Sequence, residues 1–294
     1  MTFPGLADLK SATVDGVSLA YREEGRGAPV VFVHGDLSDL RTWEQQLPAF
    51  SPAYRALAYS RRYARPNPDI PAGTPNPMDP HVTDLVAFLH ATNAAPAHLV
   101  GNSWGAFICL LTAIRHPGVV RSLVLEEPPV VPVYLSDPPR AGELVRLLAR
   151  PRTLASLVSF GKGTVDRVAE KFKAGQDEEA MALFLHGVLD PWAYERLPAG
   201  RFPQMRENLG ALKAGLFGAG FPPLGHDEVR SVRAPALVVT GEHSSPVLHR
   251  LADRLTELLP HARQTDIPDA SHVMHEENAP ALNRAVLDFL ADLP

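Results

Sequence analysis

Apolar and polar residues alternate through VSLAYR (17–22), the period-two pattern of a half-buried strand. After a glycine-rich turn at 25–28, VVFV (30–33) is a continuous apolar run, suited to a strand covered on both faces. Leu40, Trp43, Leu47 and Phe50 recur at helical spacing and predict a helix over 39–50, followed by a short strand, RALAY, at 55–59. Val82, Leu85, Val86 and Leu89 form one face of a helix over 79–94. Next come a strand HLVG (98–101), a sharp turn, a helix from about 104 to 115 and a strand SLVLE (122–126). The Pro128-Pro129 pair ends that strand, because proline cannot donate to a central ladder. The alternation resumes with strand 236–241, helix 246–259, strand 263–267 and helix 279–291. Strands alternating with helices of this length imply a mostly parallel sheet with helices on both faces.

Between 131 and 230 the alternation fails. Segments 141–149, 164–173, 178–188 and 204–214 read as amphipathic helices separated by glycine and proline, with no convincing strand. The expected organisation is an α/β core of residues 1–130 and 231–294, with 131–230 inserted as a helical lid over the strand ends. Many of the 29 prolines cluster at 66–80, 128–139 and 222–223, where loops and the insertion boundaries are expected. There is no internal repeat.

Composition narrows the function classes. A net charge of −5 offers no basic footprint for nucleic acid. No run approaches the ~20 apolar residues that cross a bilayer, and MTFPGLADLK lacks the basic and apolar regions of a signal peptide. Cys109 is the only cysteine, which excludes an intrachain disulfide and favours a cytoplasmic setting. Nothing in the pattern fixes an oligomeric state.

The chemistry-bearing motif is Gly101-Asn102-Ser103-Trp104-Gly105, a G-x-S-x-G sequence between an apolar strand and a helix. That context fits a nucleophile elbow: the turn exposes Ser103 at a helix N-terminus, where N–H groups and the helix dipole favour developing negative charge. His34-Gly35 directly follows the VVFV strand, and a turn there directs a backbone N–H, expected to be that of Asp36 with Leu37 as the alternative, toward a substrate oxygen, completing an oxyanion hole with the Trp104 N–H. The Asp36 side chain opposes that charge unless it points away, and His34 reads as a loop-bracing histidine. His272, in Asp269-Ala270-Ser271-His272 after the last strand, occupies the place of the base. His275 is its rival, with a solvated or capping role expected. Phe184, Trp192, Tyr194 and Phe202 either line an apolar pocket or form the core of the lid.

These motifs together, VVFVHG at 30–35, GNSWG at 101–105, the GE turn at 241–242 and SH at 271–272, resemble the α/β-hydrolase superfamily over the whole chain outside the lid. The resemblance implies an eight-stranded, mainly parallel sheet and a Ser–His–acid site needing no cofactor or metal. Many relatives keep an aspartate in the loop after the 236–241 strand, where this chain reads Gly-Glu-His-Ser-Ser-Pro. A subset takes the acid from the end of the strand following the elbow, about two dozen residues after the nucleophile. Here Glu126 and Glu127 stand there, and Glu127 lies 24 residues after Ser103. Pro128 predicts an extended Glu127. Neighbouring strand residues face opposite ways, so only one of the two reaches His272. The expected acid is Glu127, with Glu242 and then Asp269 as rivals; the blander reading has both glutamates capping a strand end in solvent.

The implied activity is hydrolysis of an ester or lactone of a small, apolar molecule through an acyl-enzyme. Relatives that dehalogenate or open epoxides use an aspartate where this chain has Ser103. Carbon–carbon bond hydrolysis, cofactor-free oxygenation and non-catalytic reception of a small ligand are the alternatives on this fold.

Overall fold

The computed structural model describes residues 9–136, 138–189, 191–218 and 220–293. Most of the N-terminal stretch used to judge a signal peptide lies outside them. The apolar run at 30–33 becomes β3 (Pro29–Val33), and its alternate residues serve different layers. Val31 and Val33 face one apolar cluster, with Leu99, Leu123, Leu125 and Val238. Val30 and Phe32 face the other, with Val100, Val124, Leu237 and Val239. Helices Asp79–Ala91, Trp104–Arg115 and Pro246–Leu258 cover the first face, and Ala279–Ala291 covers the second. Each large side chain buried this way contributes about 1.5–3 kcal/mol.

The sheet has eight strands: β1 (Lys10–Val14), β2 (Val17–Glu24), β3, β4 (Arg55–Tyr59), β5 (Ala97–Asn102), β6 (Val120–Glu126), β7 (Ala236–Gly241) and β8 (Ala262–Ile267). Their order is β1-β2-β4-β3-β5-β6-β7-β8, antiparallel from β1 to β4 and parallel from β4 to β8. The parallel strands therefore end on one edge, where open α/β sheets place their sites. Helix Trp104–Arg115 packs against β5 and β6 and is almost wholly buried, its Cys109 included.

Three elements differ from the sequence expectation. β1 has no counterpart there, although Asp15-Gly16 between β1 and β2, both at positive φ (46° and 78°), is a strong two-residue hairpin signal. The helix expected over 39–50 is a 3₁₀ turn, Leu40–Trp43, followed by a single helical turn, Leu47–Phe50. Asp39 caps the first and Pro48 opens the second, so two starts fall inside one apolar stripe. The helix expected over 204–214 is two, Arg201–Glu207 and Leu209–Leu216, broken at Asn208. The Asn208 amide donates to Asp39 Oδ2 at 2.8 Å and accepts from the Arg65 N–H at 2.8 Å.

Between β6 and β7 no strand occurs among the described residues. Helices Ala141–Leu148 and Pro151–Phe160 open this segment, and a wider turn at Gly161–Val165 leads into Asp166–Lys173. Asp177–Val188 follows, then the pair flanking Asn208. These helices have their own apolar cluster, including Val168, Phe172, Met181, Leu185, Met205 and Leu212. Leu37 belongs to it, Val273 packs against it, and so do Phe184, Trp192, Tyr194 and Phe202. The helical segment thus rests on two loops at the carboxyl edge of the sheet. No helix of the described residues is long and apolar enough to cross a membrane.

Candidate active site

Ser103 stands between β5 and helix Trp104–Arg115 at φ 50°, ψ −120°. A non-glycine residue held at positive φ costs on the order of 1–3 kcal/mol and persists only when its surroundings over-determine it. Here its N–H donates to the Glu126 carbonyl at 2.7 Å and its carbonyl accepts from the Phe107 N–H at 3.1 Å. Any side chain at Gly105 runs into the Val33 and His34 carbonyls, so only glycine lets the helix approach β3 this closely. A Cβ at Gly35 would lie 3.1 Å from the Ser103 Cβ and 2.8 Å from Asn102 Oδ1. The loop after β3 therefore passes directly beside Ser103. Trp104 is the first residue of its helix, and an N–H there has no intrahelical acceptor.

Glu127 and His272 meet. The His272 Nδ1–H donates to Glu127 Oε2 at 2.7 Å, and the Gly241 N–H donates to Oε1 at 2.9 Å. Both carboxylate oxygens are satisfied, and Glu127 is fully buried. With its Nδ1 proton committed to Glu127, the imidazole keeps its lone pair on Nε2. Glu127 is not extended as Pro128 suggested: its φ is +46°. Its N–H still reaches the Val239 carbonyl at 3.1 Å, so sheet pairing continues one residue past β6 while the chain turns away beneath it. That bond and the two on its carboxylate hold the left-handed turn against the proline's preference.

Glu126 faces the other way and holds the other histidine. The His275 Nδ1–H donates to Glu126 Oε2 at 2.9 Å, and His275 Nε2 lies 2.8 Å from Thr42 Oγ1. Contrary to a solvated or capping role, His275 is buried, with its ring 4.5 Å from that of Trp43. The reading of both glutamates as solvent-facing caps likewise fails, because both are buried and bonded. Asn102, next to Ser103, donates to the His272 carbonyl at 2.9 Å and ties the elbow to the histidine loop.

Glu242 and Asp269 lie apart from this cluster. The Glu242 carboxylate is exposed and accepts from the Asp269 N–H at 3.1 Å. With His243 they form the grouping among the described residues whose donor atoms, within 4.8 Å of one another, approach metal spacing. Two of the three are exposed, and the His243 ring lies 4.7 Å from the Trp192 ring, so this is an ordinary surface turn.

The Asp36 side chain is turned onto Arg61, whose Nη2 lies 3.1 Å from Oδ1 and donates to the Gly35 carbonyl at 2.9 Å. Burial raises the Asp36 carboxyl above its ordinary range, and Arg61 opposes that rise. The guanidinium also lies over the Trp104 ring at 4.8 Å. His34 braces the loop: Nδ1 bonds the Gly35 carbonyl at 2.8 Å and Nε2 accepts the Arg61 N–H at 2.9 Å. Burial, then Arg61, holds its pKa well below the ordinary histidine value. Arg61 was not anticipated from the sequence. Its signal was position, two residues past the end of β4 on the carboxyl edge.

Residues 28–279 match the family described as alpha/beta hydrolase fold, and the chain belongs to that family. It is 26% identical to a haloalkane dehalogenase of Bradyrhizobium diazoefficiens, over all of this chain and 97% of that one. Among solved structures it is similar to a thermophilic esterase from Thermogutta terrifontis, with a TM-score of 0.74, 18% identity, and 97% and 98% of the two chains covered. It is also similar to the enol-lactonase from Burkholderia xenovorans, with a TM-score of 0.70, 20% identity, and 96% and 100% covered.

Proposed function

We propose that this protein is a serine hydrolase acting on an ester or lactone of a small, apolar molecule. The reading rests above all on the His272–Glu127 pair at 2.7 Å, at the same sheet edge as the strained Ser103 turn. His272 Nε2 takes the Ser103 proton, and the alkoxide adds to the substrate carbonyl. The Asp36 and Trp104 N–H groups hold the oxyanion, and Arg61 keeps the Asp36 carboxylate from opposing it. The imidazolium returns its proton to the leaving oxygen, and a water activated by the same nitrogen releases the acid from Ser103. Glu127 fixes the tautomer and stabilises the imidazolium. The helical segment 131–230 acts as a lid that shapes the pocket, since its apolar cluster rests on Leu37 and Val273 beside the reacting groups.

Esterase and lactonase activity among structures of this fold is compatible with that chemistry. The dehalogenase relative is a weaker guide, because alkyl-enzyme chemistry needs a carboxylate where this chain has Ser103. The test is labelling by a fluorophosphonate together with turnover of a panel of acyl esters and lactones. Ser103→Ala should fold, fail to label and lose kcat by a factor on the order of 10⁴ or more. Retention of a tenth of wild-type turnover by that variant refutes the serine mechanism. Rapid labelling with no turnover of any ester or lactone refutes the ester-hydrolase reading and favours a receptor.

A further inference from the structure

A cavity of about 800 Å³ opens between the start of the helical segment and the core, and Ser103, Glu127 and His272 are not among its lining residues. One wall carries Arg140, Arg146 and Arg150, on and beside helix Ala141–Leu148. The facing wall carries Arg230, at the end of helix His226–Arg230, and Arg254, on helix Pro246–Leu258. Five guanidiniums thus line one cleft in a molecule whose net charge is −5.

The carboxylates around the cleft offset only part of that charge. Glu143 accepts from the Ser136 hydroxyl at 2.7 Å and from the Ser136 and Arg140 backbone N–H groups, each at 3.0 Å. Those bonds pull its pKa down to about 2. Glu228 accepts from the Gly225 N–H at 2.7 Å, which leaves Asp227, 3.1 Å from Arg230. Arg254 pairs with Glu257 at 2.7 Å. Among the described residues no ion-pair partner reaches Arg140, Arg146 or Arg150.

The two walls act on a common point. Tyr134 lies between them, its phenol raised by burial, and both Arg150 and Arg254 act against that rise. Neighbouring guanidiniums without ion-pair partners repel, and an anion among them converts that repulsion into attraction. One singly charged group cannot match the three guanidiniums of the first wall that lack an ion-pair partner, so the fitting ligand carries two or more anionic groups. Val133, Leu147 and Leu224 line the cleft as well, which suits a carbon framework between those groups.

We propose that this cleft binds a small organic anion bearing two or more phosphate or carboxylate groups, and that the ligand ties helix Ala141–Leu148 to the core. The inference is independent of the reaction at Ser103. It is tested on the full chain by thermal unfolding and calorimetric titration with pyrophosphate and with citrate, at constant ionic strength set with chloride. Saturable binding with a rise in Tm supports the site. A response to pyrophosphate alone identifies phosphate groups as the recognised chemistry, and a response to citrate alone identifies carboxylates. The exposed pair Arg146→Gln/Arg230→Gln, one from each wall, should weaken binding at least tenfold while fluorophosphonate labelling of Ser103 stays at the wild-type rate. Arg146→Glu should raise the Tm of the free protein and remove the anion response, because it supplies the missing negative charge itself. Absence of saturable binding to either anion, or undiminished binding by the double variant, overturns the proposal.

Discussion

Glu126 and Glu127 are adjacent, equally buried and chemically identical, yet each serves a different histidine. The difference arises where the strand ends: Glu126 is the last residue of β6, whereas Glu127, at φ +46°, turns out of it, and the two side chains leave the backbone toward different histidines. In the proposed mechanism Glu127→Gln removes the charge that orients and stabilises the His272 imidazolium. By the precedent of serine proteases, kcat should fall by a factor on the order of 10⁴ with KM little changed. Glu126→Gln keeps an acceptor for His275 Nδ1, so kcat should fall only a few-fold, and Glu242→Gln should behave as wild type. Steady-state kinetics on one ester substrate decide among them; a crippled Glu242→Gln beside an active Glu127→Gln refutes the assignment. The spacing of 24 residues from Ser103 and the strand-end position made Glu127 legible in the sequence. The burial of His275 was not legible, because it depends on Thr42, Trp43 and Glu126, which the fold brings from two distant segments.

A polar seam joins the helical segment to the core. Asp39, fully buried, accepts from the Arg41 N–H, from Gln204 at 2.9 Å and from Asn208 at 2.8 Å, and it pairs with the Arg41 guanidinium at 2.7 Å. Arg41 continues to Glu207 at 2.6 Å, and Arg201 pairs with Glu276 at 2.7 Å, next to His275. Asp39→Ala leaves the buried Gln204 and Asn208 amides without their acceptor, which costs about 1–3 kcal/mol. Chemical denaturation should show that loss. Hydrogen exchange should show faster opening of residues 201–216 than of the sheet, whereas uniform loosening contradicts a local clamp. Apolar periodicity could not reveal this seam. Leu40, Trp43, Leu47 and Phe50 share a face whether the chain forms one helix or two short turns, and the choice rests on Asp39 and Pro48, which apolar periodicity does not weigh. The Asp15-Gly16 hairpin was a readable signal that the short, half-exposed β1 obscured.

Across the whole molecule, buried neutral histidines set how the fold meets acid. Burial, then Arg121, lowers the His98 pKa from 6.5 to about 4, and His34 and His81 are held well below the ordinary value for the same first reason. A depressed folded-state pKa contributes stability that is complete above pH 6.5 and is lost as pH falls toward 4. For His98 alone the loss is on the order of 3 kcal/mol. Tm should therefore drop steeply between pH 6.5 and 4, and His98→Asn should flatten that drop; an unchanged slope contradicts the assignment. The sequence carried the mostly parallel sheet with helices on both faces, because strands alternating with long helices need crossover connections; the strand order is a finding of the structure. It did not carry the arginine-lined cleft, whose walls lie about a hundred residues apart in the chain.

The lone Cys109 sits inside the helix behind Ser103, fully buried, and burial pushes its thiol well above the ordinary range. A thiol reagent in solution can reach it only through a transient opening of the helix and the strands that enclose it. Its modification rate consequently reads the opening equilibrium directly, as amide exchange does, but at one named atom. The chain carries its own stopwatch for unfolding. It also presents a silent background on which a single engineered surface cysteine, placed on the helical segment, would take a fluorescent label without competition while the fold stays closed.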